Sequence, residues 1–253
     1  MRGVSKPWPP ADVSQDGHTP CSLRDAERNY LAALPPEAER SARARARFDQ
    51  LDKRKLRVVM YHEQRSICVF CERPIDEGNP TPRIDHWRPL SVHPEHALHW
   101  RNLYLSCPSA ETCDAAKGER ALRWGDTDPH LPWPTDLRYE DLVGFTSRGD
   151  IYVRKDLALD DAVRRALELA LDDRQNGNRT RRAILNLNHP TLVAARAAAL
   201  DRERSRLERD FEDSTATREA REERANEMLA QNPLPGFVSI RVAWLRKRLG
   251  RGR

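Results

Sequence analysis

Apolar residues recur at helical spacing in two parts of the chain, which flank a central segment without a helical period. In the first part, Ser22 followed by Asp25 marks a helix start and predicts a short helix to Leu34. A Pro-Pro pair ends it, and the segment 37–65 predicts one longer helix. The apolar positions of this helix lie near 3.6-residue spacing, at Phe48, Leu51, Leu56, Val59 and Met60.

The second part, residues 126–253, is also mostly helical by its pattern. A proline-rich connector leads to a hairpin predicted around the Ser-Arg-Gly-Asp turn at 147–150. Helical patterns then cover four segments: 160–173, 179–187, 191–229 and 238–249. The third is dense in Arg and Glu and predicts a long, exposed helix laced with ion pairs. Trp244 is the expected buried anchor of the last helix.

These patterns divide the chain into four regions. Residues 1–21 are rich in Pro and polar residues and are expected to form a flexible N-terminal arm. The N-terminal helices occupy 22–66, the central segment occupies 67–125, and the C-terminal helical region occupies 126–253. The expected fold class is α+β, mostly helical, with the strands in short segments between helices.

Composition narrows the class of protein. The 253 residues are 33% charged and 38% hydrophobic, which is polar but sufficient for a core. No apolar run approaches the roughly 20 residues that span a bilayer. The N-terminal segment also lacks the apolar stretch of a secretory signal, so we expect a cytoplasmic protein without a membrane partner.

The net charge of +5 permits a polyanionic partner. The Arg-Ala alternation at 41–47 predicts a solvated basic face, with phosphate contact as the alternative.

Four of the five cysteines form two clustered pairs, while Cys21 stands alone. Cys68 and Cys71 have the two-residue spacing of a zinc knuckle, and Cys107 and Cys113 are separated by five residues. Disulfides are not expected in a reducing cytosol, so the pairs predict a Zn²⁺ site, with four buried free thiols as the alternative. Four thiolates leave no open coordination position, so this zinc would be structural.

Between and beside the cysteine pairs lie polar residues in a recognisable order. Asp85 and His86 are adjacent, Asn102 precedes a Leu, and Cys113 is followed by Asp114 and then by Lys117-Gly118. This order resembles the HNH endonucleases, which are ββα-metal nucleases. The resemblance implies a zinc-stabilised ββα-metal core with strands at 83–87 and 103–107 and a helix at 113–122.

The resemblance also assigns roles. Asp85 and Asp114 would hold a catalytic Mg²⁺ or Mn²⁺, and His86 would be the general base that activates water. Asn102 would tie the loop together and orient His86, and Lys117 would stabilise the charge on the phosphate. Arg88 would be a substrate clamp. The implied activity is hydrolysis of phosphodiester bonds in nucleic acid, with DNA preferred over RNA as the substrate.

Two features depart from the family pattern. Asp114 stands where the family usually has His or Asn, which changes the expected metal geometry although a carboxylate is a competent ligand. The five-residue spacing of Cys107 and Cys113 also predicts a distorted zinc ligand. His93, His96 and His99 are irregularly spaced, and we expect exposed or packing roles for them rather than metal ligation.

A narrower resemblance covers about 58–196. The segments ICVFCERPI, IDHWRPLS, WRNLYLSC, CDAAKGER and ILNLNHPTLVAAR look like the HNH subunits of Septu-type anti-phage systems and of related retron-associated modules. This implies an effector nuclease with an ATPase partner of the ABC or structural-maintenance type. The Leu-Asn-Leu-Asn element at 185–188 would then be structural, with its asparagines capping helix ends. The competing hypotheses are a non-catalytic zinc module that binds nucleic acid or protein, and a degenerate HNH scaffold kept for assembly.

Overall fold

The structure, a computed structural model, describes residues 1–7, 9–14, 22–76, 78, 80–118, 131–171, 183–210 and 217–246. In the described chain, helices alternate with two small antiparallel sheets, which confirms the α+β class. The helices are α1 (Leu23–Ala32), α2 (Glu37–Asp49), α3 (Lys53–Gln64), α4 (Cys113–Gly118), α5 (Tyr139–Leu142), α6 (Asp161–Leu171), α7 (Pro190–Asp210), α8 (Arg218–Ala230) and α9 (Val238–Leu245). The strands are β1 (Arg83–His86), β2 (Leu103–Ser106), β3 (Val143–Phe145) and β4 (Ile151–Val153).

The first helical region differs from the sequence prediction at one point. The predicted single helix over 37–65 is two helices, α2 and α3. Asp52 separates them, because its Oδ1 accepts hydrogen bonds from the main-chain nitrogens of Arg54 at 2.9 Å and Lys55 at 3.1 Å. An Asp in this N-cap position satisfies main-chain donors that a continuous helix would otherwise bond to carbonyls.

The N-terminal segment is packed where the structure describes it, in contrast to the flexible arm expected for 1–21. Met1, Val4 and Val13 are buried in the main core. The Arg2 nitrogen donates to the carbonyl of Val69 at 3.2 Å, and the Val4 nitrogen donates to that of Pro134 at 2.8 Å. The sequence pattern did not predict this burial, because three apolar residues scattered among polar ones show no period.

A β-β-α unit occupies the central segment. Strands β1 and β2 pair antiparallel with Asp85 opposite Tyr104 and His86 opposite Leu103. The side chain of Gln64 in α3 bonds the main chain of Leu105 in both directions, donating at 2.9 Å and accepting at 2.6 Å. A buried strand edge needs such partners, because unpaired main-chain groups away from water are costly. Helix α4 follows β2 and completes the unit.

The C-terminal region confirms the hairpin, as β3 and β4 flank the predicted turn. The predicted helix at 179–187 is not found over 183–187, and the rest of it lies outside the described residues. The predicted helix at 191–229 is two helices, and Thr217 caps the second through a hydrogen bond from the Ala220 nitrogen at 3.2 Å. Glu203 of α7 forms ion pairs with Arg224 of α8 and Arg241 of α9, so these three helices lie against one another.

Among the described residues, no helix combines the length and the apolar character that crossing a membrane requires.

Candidate active site and metal centre

The two cysteine pairs meet at one point in the fold. Their four sulfur atoms lie within 4.8 Å of one another, and all four residues are buried. The Sγ atoms are 3.9 Å apart between Cys68 and Cys113, and 3.7 Å apart both between Cys71 and Cys107 and between Cys107 and Cys113. A zinc–sulfur bond of about 2.3 Å gives a tetrahedron with edges of about 3.8 Å. The four thiols therefore fit a tetrahedral zinc site.

The wide spacing of the second pair follows from the secondary structure. Cys107 comes directly after β2 and Cys113 begins α4, so the five residues between them form the turn from strand to helix. The Cys113 nitrogen donates to the carbonyl of Leu185 at 2.9 Å, which holds this turn against the C-terminal region. Despite this spacing, the Cys107 sulfur lies 3.7 Å from both the Cys71 and the Cys113 sulfur. Cys21 lies outside the described residues.

The cluster also favours thiolate formation at one sulfur. Burial alone would raise the pKa of the Cys68 thiol, but its interactions with the neighbouring Cys107 and Cys113 side chains lower it well below its usual value. Zinc binds the deprotonated thiolate, so a site that already stabilises one thiolate is suited to the ion.

A second polar cluster lies on the same β-β-α unit, around Asp85. The Asp85 side chain is buried, and both of its carboxylate oxygens accept hydrogen bonds from the ammonium of Lys117, at 2.5 Å for Oδ1. The same ammonium donates to the carbonyl of His86 at 2.5 Å. With 3% of its surface exposed, Lys117 faces Asp85 rather than solvent. A contact between Lys117 and a substrate phosphate would therefore require the ammonium to leave Asp85.

His86 is held by contacts on two sides of its ring. Its Nε2 lies 3.0 Å from the carbonyl oxygen of Ala97, and the Phe48 ring of α2 packs edge-on at 4.5 Å between centroids. A carbonyl oxygen only accepts, so Nε2 carries the proton and Nδ1 keeps its lone pair. Burial lowers the pKa of His86 to about 3, which leaves the imidazole neutral at pH 7.

Asn102 closes the loop between the two strands. Its Oδ1 accepts a hydrogen bond from the Arg88 nitrogen at 2.6 Å, and its Nδ2 donates to the carbonyls of Arg88 at 3.2 Å and His96 at 2.9 Å. The residue is fully buried. These bonds join both ends of the loop that carries Ala97, so Asn102 holds the partner of His86 in place without contacting the imidazole itself.

Asp114 is the second carboxylate of this cluster. It lies in the first turn of α4, and its side chain is 24% exposed, with Oδ2 3.9 Å from an Arg83 nitrogen. Burial raises the pKa of the Asp85 carboxyl well above its usual range; Lys117 opposes this rise, and the neighbouring Asp114 carboxylate adds to it. Two adjacent carboxylates repel, and hard oxygen donors suit Mg²⁺ or Mn²⁺. The pair is chemically suited to hold such a cation if Lys117 moves.

Arg88, His96 and His99 form a separate half-buried layer around Trp133, and the ring of His93 lies 6.1 Å from that of His96. The Arg88 guanidinium lies 4.7 Å from the centre of the Trp133 ring, and the rings of His96 and His99 pack at 5.6 and 5.7 Å. Within the described chain, the four cysteines are the only group of three or more His, Cys, Asp or Glu residues placed to share a metal. The contacts of His96 and His99 with Trp133 agree with the packing role expected for these residues.

Three contacts of the site were not predicted from the sequence. Phe48 and the carbonyl of Ala97 both contact His86, and Arg45 of α2 lies close enough for its charge to lower the pKa of His86 further. Phe48 was assigned only to a helix core, and a main-chain carbonyl gives no signal in sequence. The Arg-Ala alternation was the one visible indication that α2 carries charge toward the site.

The Leu-Asn-Leu-Asn element at 185–188 is hydrogen-bonded to the turn before α4 and to the β3–β4 hairpin. Its asparagines do not cap helices, in contrast to the expectation from the sequence. The Asn186 side chain donates to the carbonyl of Glu111 at 2.8 Å, in the turn between Cys107 and Cys113. The Asn188 side chain bonds the nitrogen and the carbonyl of Ile151, each at 2.9 Å. The element thus links the turn before α4 to the hairpin.

Comparison with known proteins gives one informative likeness. No protein-family profile matches the chain. A segment of 63 residues is 29% identical to the Septu protein PtuB of Bacillus thuringiensis. This segment covers 25% of the chain and 23% of that protein, so most of both sequences lies outside the likeness.

Proposed function

We propose that the chain is a metal-dependent HNH endonuclease that hydrolyses phosphodiester bonds in nucleic acid, with DNA preferred over RNA. The observation that carries the proposal is the convergence of Asp85, His86, Asp114 and Lys117 on one β-β-α unit next to four thiols. These residues are separated by up to 32 positions in the chain. A module that only binds has no chemical need for a neutral buried imidazole on the same unit as two neighbouring carboxylates.

The chain's residues would divide the reaction between them. His86 takes a proton from water at Nδ1, because Nε2 already donates to Ala97 and burial keeps the ring neutral. Asn102 fixes the loop that provides this partner. Asp85 and Asp114 would hold a Mg²⁺ or Mn²⁺, which when bound supplies charge neutralisation at the phosphate and at the leaving 3′ oxygen. Lys117, once released from Asp85, places its ammonium beside the phosphate.

The likeness to the Septu protein PtuB supports a biological setting for this activity. We assign the chain to prokaryotic anti-phage defence, as the effector nuclease of a Septu-like system with an ATPase partner of the ABC or structural-maintenance type. The long charged helices α7 and α8 offer surface for such a partner.

One observation favours a second candidate, a zinc module that binds nucleic acid or protein without catalysis. In the structure, Lys117 saturates Asp85 and His86 is buried, so neither residue is open to a substrate. The same arrangement is expected of a degenerate nuclease scaffold. The nuclease proposal requires cleavage that depends on His86, whereas a binding module or a degenerate scaffold would not cleave nucleic acid.

The test is cleavage of plasmid DNA and of total RNA by wild type, His86→Ala and His62→Ala, with Mg²⁺, with Mn²⁺ or without added metal. His62 is an exposed histidine of α3 and serves as the matched control. We expect His86→Ala to lower the cleavage rate by roughly 10²–10⁴-fold, as for loss of a general base, and His62→Ala to leave it unchanged. Equal cleavage by all three proteins, or none by any even with the ATPase added, contradicts the nuclease proposal.

A further inference from the structure

The face of α2 and α3 beside His86 carries basic residues that the candidate reaction does not use. Arg45 precedes Phe48 by three positions, so the two side chains share one face of α2. Phe48 packs against His86, which places Arg45 at the edge of the same site. Arg45 is exposed, and among the described residues no ion pair engages it.

Helix α3 continues this basic face. The Lys53 ammonium lies 3.9 Å from the centre of the Phe48 ring and also contacts the Phe48 carbonyl. Arg57 follows Lys53 by four positions, and its Nε donates to the carbonyl of Pro82 at 3.1 Å. Pro82 directly precedes Arg83, an exposed residue of β1 whose guanidinium points to Asp114.

Three of these side chains, Arg45, Lys53 and Arg57, are close enough for their charges to influence one another. Burial lowers the pKa of Lys53 to about 8; Asp49 and Asp52 oppose this, and the charges of Arg57 and Arg45 lower it further. Asp52 is used as the cap of α3, and Asp114 belongs to the candidate metal pair. The positive charge at this edge of His86 therefore exceeds the acidic charge that faces it.

We propose that Arg45, Lys53, Arg57 and Arg83 form a basic strip that binds the phosphodiester backbone of the nucleic acid on one side of the candidate cleavage site. The occupant follows from the position of the strip, since a backbone whose phosphate lies at His86 must continue over a neighbouring surface. Arg45 and Arg83 supply exposed guanidinium groups, which pair well with phosphate oxygens. This inference rests on the proposed function and gives the α2–α3 pair a part in it.

The experiment measures binding rather than cleavage, so that the two proposals can fail separately. In a His86→Ala background, a short fluorescent DNA duplex and an RNA duplex of equal length are titrated by anisotropy over a series of salt concentrations. The variants are Arg45→Ala, the pair Arg45→Ala with Arg57→Ala, and Arg43→Ala. Arg43 is exposed on α2 two positions from Arg45, so it points to another side of the helix and is the matched control.

Each lost phosphate contact is expected to reduce the slope of log affinity against log salt by about 0.9 for DNA. We therefore expect a loss of about 0.9 for Arg45→Ala, about 1.8 for the pair, and no change for Arg43→Ala. A larger effect with the RNA duplex would identify RNA as the source of the backbone. Circular dichroism checks folding, and if the pair is misfolded the exposed Arg45→Ala variant carries the comparison.

Two results would overturn the basic strip. One is equal slopes for Arg45→Ala and Arg43→Ala, even if the wild type cleaves DNA, because the nuclease would then use another surface. The other is no binding of either duplex, which would assign the strip to a protein partner. If the variants change the salt slope as expected but the wild type does not cleave nucleic acid, the basic strip stands and the nuclease proposal fails.

Discussion

Two polar clusters share the β-β-α unit, and they differ in how their charges are balanced. The first consists of four buried thiols, which would have to lose their protons to bind a zinc ion. The second has its own cation, because Lys117 contacts both oxygens of Asp85. The thiol cluster could be completed by a zinc ion, whereas the Asp85 cluster is electrostatically satisfied without a divalent ion.

This difference separates stability from activity. Removing zinc should unfold the unit, since the four thiols connect the segment 68–71 to the end of β2 and the start of α4. A divalent cation at Asp85 and Asp114 must instead displace an ammonium, so its binding would be weaker and conditional on substrate or partner. The following changes are ordered by the size of their expected effects on this comparison.

The largest effect is expected from the thiol cluster. Cys68→Ser should lose the zinc and with it a contribution on the order of 10 kcal/mol to the folding of the unit. Metal analysis should find about one zinc per wild-type chain and none in the variant, and thermal unfolding should show loss of the cooperative transition. Cys21→Ser is the control and should keep both. A folded, zinc-free Cys68→Ser protein would refute a structural zinc.

An intermediate effect is expected at the buried ion pair. Lys117→Met leaves the Asp85 carboxylate buried without its partner and should lower the free energy of unfolding by about 3–5 kcal/mol. Urea denaturation measures this value, and adding Asp85→Asn should restore part of it because the unpaired charge is removed. Zinc content should stay at the wild-type level.

The control for this pair is Lys55→Met, which removes an ion pair with Asp12 that is 40% exposed on each side. Exposed pairs are screened by water, so its effect should be much smaller. Equal destabilisation by the two Lys→Met changes would show that the Asp85–Lys117 contact is not a buried pair, and the contrast between the clusters would then disappear.

The smallest of the three effects on stability is expected at Asn102, together with a large effect on activity. Asn102→Ala removes one acceptor and one donor group that make three hydrogen bonds, and should cost about 2–3 kcal/mol. Cleavage should fall far more, because the loop that provides the Ala97 carbonyl is no longer fixed against His86. Asn186→Ala, which loses a single exposed bond, is the control. Parallel losses of stability and cleavage in both variants would argue against a positioning role.

Local pattern was a good guide to the existence of the hairpin and of most helices, and to the clustering of the four cysteines. The hairpin was predictable from its local turn residues, whereas the strand positions of β1 and β2 and the start of α4 followed only from the resemblance to the HNH endonucleases. Helix ends were less predictable. The helix starts after Asp52 and Thr217 depend on single caps inside patterns that predict continuous helix.

The amino-acid sequence by itself determined that two cysteine pairs and an Asp-His pair lie within one short region, and that helices flank it. Only the tertiary structure decided that the thiols stand at tetrahedral distances and that Lys117 closes on Asp85. It also decided that Phe48 and Ala97 hold His86, and that Arg45 lies beside it. These contacts join residues many positions apart, and their geometry is set by the packing of α2, α3 and α4 around two strands. Spacing along the chain therefore identifies the groups, and packing fixes their distances and charges.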